Sequence, residues 1–201
     1  MTMDQRARIA PARPARGART VAVVGLVGLA VIAGGAGSAR ADDGLALLAT
    51  GGWMMPRGDV GESYGGGAEA RMIDDVLTVG FGASALVGRT PAARRRDVMD
   101  VYLNVGVRLC ERCRALAPYT ALGLDVLHVT TSDPARSVRG STLGLSGHVG
   151  LMGRLGGDGD RDRGAWMWRA SASYLGAIVP GTGEDLGGVT LSVAIGKHVF
   201  R

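Results

Sequence analysis

Residues 77–87 read Leu-Thr-Val-Gly-Phe-Gly-Ala-Ser-Ala-Leu-Val. Leu77, Val79, Phe81, Ala83, Ala85 and Val87 occupy the odd positions, and Thr78, Gly80, Gly82 and Ser84 the even ones. A period of two marks a strand whose successive side chains point to opposite faces. One face here is greasy, and the other is made of glycine and small hydroxyls. The pattern returns along the chain to its last residues. Bare glycine weakens a strand and packs nothing on a solvated face. A narrow barrel in lipid reverses that logic, because hydrocarbon touches the outside and the lumen has little room.

The first 41 residues read differently. Arg6, Arg8, Arg13, Arg16 and Arg19 precede a small and apolar run over 21–33, and Ala39-Arg40-Ala41 then leads into Asp42-Asp43. A basic region, an apolar run too short to span a bilayer and an A-x-A site predict a secretory signal peptide over 1–41, cleaved after Ala41. The alternative is an uncleaved N-terminal anchor. The leader holds six arginines and one aspartate, so it accounts for the whole net charge of +5. Residues 42–201 balance, which removes the basis for a nucleic-acid partner. Their 160 residues suit one domain.

Eight strands are expected: 45–55, 64–73, 77–87, 98–109, 119–129, 142–155, 166–178 and 189–199. The clearest is 98–109, where Met99, Val101, Leu103, Val105, Val107 and Leu109 alternate with Asp100, Tyr102, Asn104, Gly106 and Arg108. About ten residues suffice for a tilted strand to cross hydrocarbon. Closure leaves no edge, which a sheet in lipid requires. The fold class predicted is therefore all-β, an eight-stranded antiparallel up-and-down transmembrane barrel over 42–201.

Composition orients the faces. The small and polar face carries Glu69, Arg71, Asp100, Arg108, Asp125, His148, Arg154 and Arg169 among glycines and serines. A sandwich wetting that face would be rich in lysine and threonine, and the only lysine is Lys197. A ligand-holding barrel with its apolar face inward would put all that glycine outside. The charged face is thus assigned to the lumen, where buried ions must pair.

Leader, eight alternating strands and closing segment together resemble the small eight-stranded outer-membrane barrels of Gram-negative bacteria, the OmpA/OmpX-like class. The resemblance implies periplasmic chain ends, outer loops near 56–63, 88–97, 130–141 and 179–188, and periplasmic turns near 74–76, 110–118 and 156–164. It implies outer-membrane lipid, lipopolysaccharide and the assembly machinery as partners, and a monomer. Barrels of this class end on an aromatic residue, whereas here Phe200 is followed by Arg201. Trp166, Trp168 and Phe200 are expected near one rim and Trp53 near the other, as an aromatic belt.

Four local patterns invite chemistry. Cys110-Glu111-Arg112-Cys113 is a C-x-x-C, read in an exported chain as a disulfide; a redox motif would need a βαβ setting, and a metal site two more ligands. Asp158, Asp160 and Asp162 imitate a calcium loop but lack its glycine at position six and its closing glutamate. Ser146 and His148 share a face, with no acid placed beside them from the sequence. Arg94-Arg95-Arg96 is read as an outer loop that could meet lipopolysaccharide phosphates. No catalytic residue, metal ligand or cofactor is assigned. The expected role is non-enzymatic: structural, surface-interacting or permeability-related. The alternatives are a porin-like narrow pore for small solutes and a membrane-embedded lipid-modifying hydrolase.

Overall fold

The structure is a computed structural model that describes residues 44–57, 61–74, 76–110, 113, 115–133, 137–155, 165–177 and 185–200. The leader and its cleavage site lie outside the described residues. Eight strands form: β1 (Gly44–Pro56), β2 (Ser63–Ile73), β3 (Leu77–Arg89), β4 (Arg95–Arg108), β5 (Ala117–Ser132), β6 (Ser137–Leu155), β7 (Trp166–Gly176) and β8 (Gly188–Phe200). Each pairs antiparallel with its sequence neighbour, and β1 pairs with β8 to close the barrel.

The register sets the shape of that closed sheet. One row of inward residues runs Ala46, Arg71, Gly80, Asn104, Gly123, Ser146, Leu175, Gly188. It returns to β1 at Pro56, ten residues above its start. With strands about 4.8 Å apart rising about 3.3 Å per residue, that offset tilts them about 40° and gives a backbone cylinder near 8 Å in radius. Such a cylinder is filled by its own side chains.

The faces divide by parity. Leu103, Val105, Leu122, Leu124, Val126, Leu143, Leu145, Val149, Val193 and Ile195 are all exposed, Leu122 at 77%. At about 2.5 Å of axial rise per tilted residue, the outward series from Leu77 to Val87 spans about 25 Å, the height of a hydrocarbon-facing band. Trp53 and Trp166 face outward about 20 Å apart along the axis by the same measure. Trp168 lies one outward position above Trp166 on β7, and Phe200 pairs with Leu45 at the end holding the chain termini. Lys197 stacks over Trp166 at 5.0 Å.

Two expectations are revised. The loops around 88–97 and 130–141 are shorter than the polar sequence suggests, because β3 continues to Arg89, β4 starts at Arg95, β5 runs to Ser132 and β6 begins at Ser137. Polar residues extend the ladder there, in pairs such as Asp97 with Thr130 and Thr130 with Arg139. Secondly, the lumen is not all small and polar. Met54, Leu86, Val98, Leu127, Val129, Leu175, Ala177 and Leu186 form an apolar layer at the loop end. Ala46, Leu48, Ile73, Met167 and Ala194 form another near the termini, beside Ala117, Tyr119, Ala121 and Met152. A polar layer lies between.

Cys110 and Cys113 are joined as a disulfide in the β4–β5 turn. It closes so short a loop that Cys110→Ala should leave assembly intact, read as unchanged heat-modifiable mobility on a gel. Val105 is 47% exposed in the apolar band, flanked by Val79 and Leu122. Val105→Arg should cost about 2–4 kcal/mol and impair insertion into vesicles. Insertion equal to wild type would overturn the assignment of that face to lipid.

Candidate functional site

Glu69 on β2 is the centre of the polar layer, with its side chain wholly buried. Its Oε1 accepts from Arg71 Nε at 2.6 Å, and its Oε2 accepts from Arg169 Nη2 at 2.9 Å and from Tyr102 Oη at 2.9 Å. Arg71 also donates from Nη1 to Thr78 Oγ1 and from Nη2 to Asn104 Oδ1, both at 2.7 Å. Arg169 donates from Nη1 to Ser171 Oγ at 2.8 Å and to Tyr119 Oη at 3.1 Å. The Arg71 guanidinium lies 5.8 Å from the Tyr119 ring centroid. One carboxylate thus ties together β2, β4 and β7, and the two guanidiniums add β3 and β5.

Glycine makes this reach possible. A Cβ on Gly82 would sit 2.5 Å from Tyr102 Cζ and Oη, blocking the phenol's path to Glu69. A Cβ on Gly80 would sit 2.6 Å from Arg71 Nη2 and 2.7 Å from Asn104 Oδ1. In a cylinder this narrow, a long side chain on one strand needs a vacancy on the next.

A second cluster borders the first. Ser146 Oγ donates to Asp125 Oδ2 at 2.6 Å and lies 2.9 Å from His148 Nε2. These three residues, with Asp100, Tyr102 and Arg169, line a lumen cavity of about 70 Å³. That is room for a handful of waters. Asp100 Oδ1 faces it without a hydrogen-bond donor among the described residues. The acid that sequence reasoning could not place beside Ser146 is therefore Asp125, its diagonal neighbour on β5. The order is unsuited to a charge relay, however. The carboxylate binds the serine hydroxyl, whereas a relay needs it on the far nitrogen of the imidazole.

The eight charged residues expected in the lumen fall at different levels of the barrel. Glu69, Arg71 and Arg169 make the ion cluster; Asp100, Asp125 and His148 line the cavity. Arg108 ends β4 near the termini, where its Nη2 donates to the Cys113 carbonyl at 3.3 Å, and Arg154 lies at the same end on β6. The Arg94–Arg96 run is also divided. Arg94 and Arg95 are exposed, but Arg96 is buried inside, donating to Ser63 Oγ and the Gly61 carbonyl. Parity carries the signal that was missed: Arg96 shares the even, inward series of Val98 and Asp100. Among the described residues no group of three or more acidic, histidine or cysteine residues could hold a metal, and Asp158, Asp160 and Asp162 lie outside them.

No family model and no curated protein sequence matches the chain. Solved structures do. Neisserial surface protein A (NspA) aligns with a TM-score of 0.56 at 10% identity, over 80% of this chain and 99% of that one. The N-terminal β-barrel domain of Pseudomonas aeruginosa OprF aligns with a TM-score of 0.51 at 14% identity, over 78% and 97%. Both are eight-stranded outer-membrane barrels, and this chain has their fold.

Removing Glu69 would leave two buried guanidiniums facing each other. Glu69→Ala should cost about 3–5 kcal/mol, measured as a lower urea-unfolding midpoint in detergent micelles. A loss below about 1 kcal/mol, the scale of an exposed pair, would show that the ion cluster does not hold the lumen together.

Proposed function

We propose that residues 42–201 are exported by a cleaved leader and inserted in the outer membrane as a non-enzymatic barrel. Its role is to display short loops from a rigid, filled cylinder. The observation that carries this reading is the layered lumen: a bonded ion cluster enclosed between two apolar layers. The apolar layer at the loop end includes Leu127 and Val129, both wholly buried, where a solute path would need water. The outer-membrane fold of NspA and the OprF domain supports the location, as does the outward apolar band. Gly44 and Phe200, the first and last described residues, lie at the end opposite the short loops, which fits a periplasmic end there.

The pore reading is kept because a cavity bordered by Asp100, Asp125 and His148 does exist above Glu69. Purified mature barrel in planar bilayers should show no discrete single-channel openings above the bare-membrane background. Regular openings, altered in Asp100→Asn or Asp125→Asn, would replace the structural reading with a channel.

A further inference from the structure

Two arginines stand directly opposite each other on the outer wall. Arg89 ends β3, Arg95 begins β4, and they are register partners. Both continue the outward, odd-numbered series and both are exposed. Like charges paired across strands repel. Asp97 relieves Arg95 in part, Nε to Oδ1 at 2.9 Å with Asp97 itself 40% exposed. No acid among the described residues pairs with Arg89.

A third guanidinium comes from β6. The row through Arg89 and Arg95 continues to Ser132 and Ser137. Arg139, two residues below Ser137, is outward, exposed and likewise without an acid partner among the described residues. Each step to the next strand climbs about 3 Å, and each residue along a strand about 2.5 Å. Arg89, Arg95 and Arg139 therefore fall within about 5 Å of one height, about 5–10 Å above Val87, Met99 and Leu143, the top of the apolar band. Arg94 in the loop adds a fourth cation, 3.4 Å from Asp133. Glu62, exposed beside Arg89 and accepting from Trp53 Nε1, is a third acid at this level with Asp97 and Asp133, so four guanidiniums meet three carboxylates where lipid headgroups begin.

Below this belt the wall is shallow. Two adjacent rows of outward residues, Gly51–Gly66–Ala85 and Ala49–Ala68–Ala83, cross β1, β2 and β3. Six small residues keep the side-chain layer thin under the Arg89 end of the belt.

We propose that Arg89, Arg95 and Arg139 bind the phosphate groups of an anionic lipid in the leaflet on the loop side, with its acyl chains against the wall beneath. Guanidinium suits phosphate because its planar fork donates two parallel bonds, and arginines at one height on β3, β4 and β6 can take two separate phosphates of one headgroup, Arg89 and Arg95 together at one and Arg139 at the other. The proposal rests on the membrane-barrel reading.

The test uses the full mature chain folded in detergent, with folding checked by heat-modifiable mobility. It is titrated with bisphosphorylated lipid A and with the dephosphorylated lipid, and retention is read by native mass spectrometry. Loss of all three arginines in R89Q/R95Q/R139Q should weaken retention of the phosphorylated lipid on the order of a hundredfold, roughly fivefold per guanidinium. It should leave the dephosphorylated lipid unaffected. Should the triple variant misfold, R89Q and R139Q singly carry the same expectation at roughly fivefold each. Arg57→Gln, at the same end but stacked on Tyr174 at 4.9 Å, should change little. An equal loss with Arg57→Gln, or displacement of the lipid by inorganic phosphate alone, would overturn the site. So would a heat-modifiable wild type that retains both lipids equally, although the barrel reading would then stand. A chain monodisperse and β-folded in buffer without detergent would end both.

Discussion

Closure with a ten-residue offset is the constraint from which the rest follows. It leaves no strand at an open edge of the sheet, as a sheet in lipid requires, and it fixes a cylinder only about 8 Å in radius. The interior must then be assembled as a packed solid. Large side chains can enter only where a neighbour in the same row is minimal. Gly82 beside Tyr102 and Gly80 beside Arg71 show the rule at its tightest. The glycine-rich polar face that marks the sequence is thus the imprint of a volume limit.

Within that volume, charge is arranged to satisfy itself. Glu69 accepts from two guanidiniums and a phenol, and those donors find further oxygens on four other strands. A buried ion pair contributes less to stability than its Coulomb attraction suggests, since desolvation offsets much of it. What the cluster supplies is register. A one-residue slip of β2 would turn Glu69 and Arg71 out into hydrocarbon, at a cost no alternative pairing could recover.

Much of this was legible in the sequence. Strand number and parity follow from period-two alternation, which a barrel wall preserves, and the inward placement of Glu69, Arg71, Asp125 and Arg169 follows from the composition of their face. Partners were not legible, because they depend on cross-strand register. Ser146 meets Asp125 only because β5 and β6 pair Asp125 with Gly144, which puts the two side chains on a diagonal. The apolar layers were hidden for another reason. Leu86 and Leu127 look like breaks in the alternation, yet they keep its parity and simply change chemistry near the end of the lumen. Arg96 was hidden by a strand that starts earlier than its apolar run.

The pairing of β1 with β8 has a kinetic meaning. Leu45 meets Phe200 across the full sequence span of the barrel, so the contact that removes the last edge is also the one most distant in sequence. Loop-closure entropy makes such contacts slow to form. Until it forms, both terminal strands carry unpaired amides and carbonyls, in a sheet whose outer surface is already apolar. A chain built this way spends its most aggregation-prone interval one step from completion, while the seam is still open.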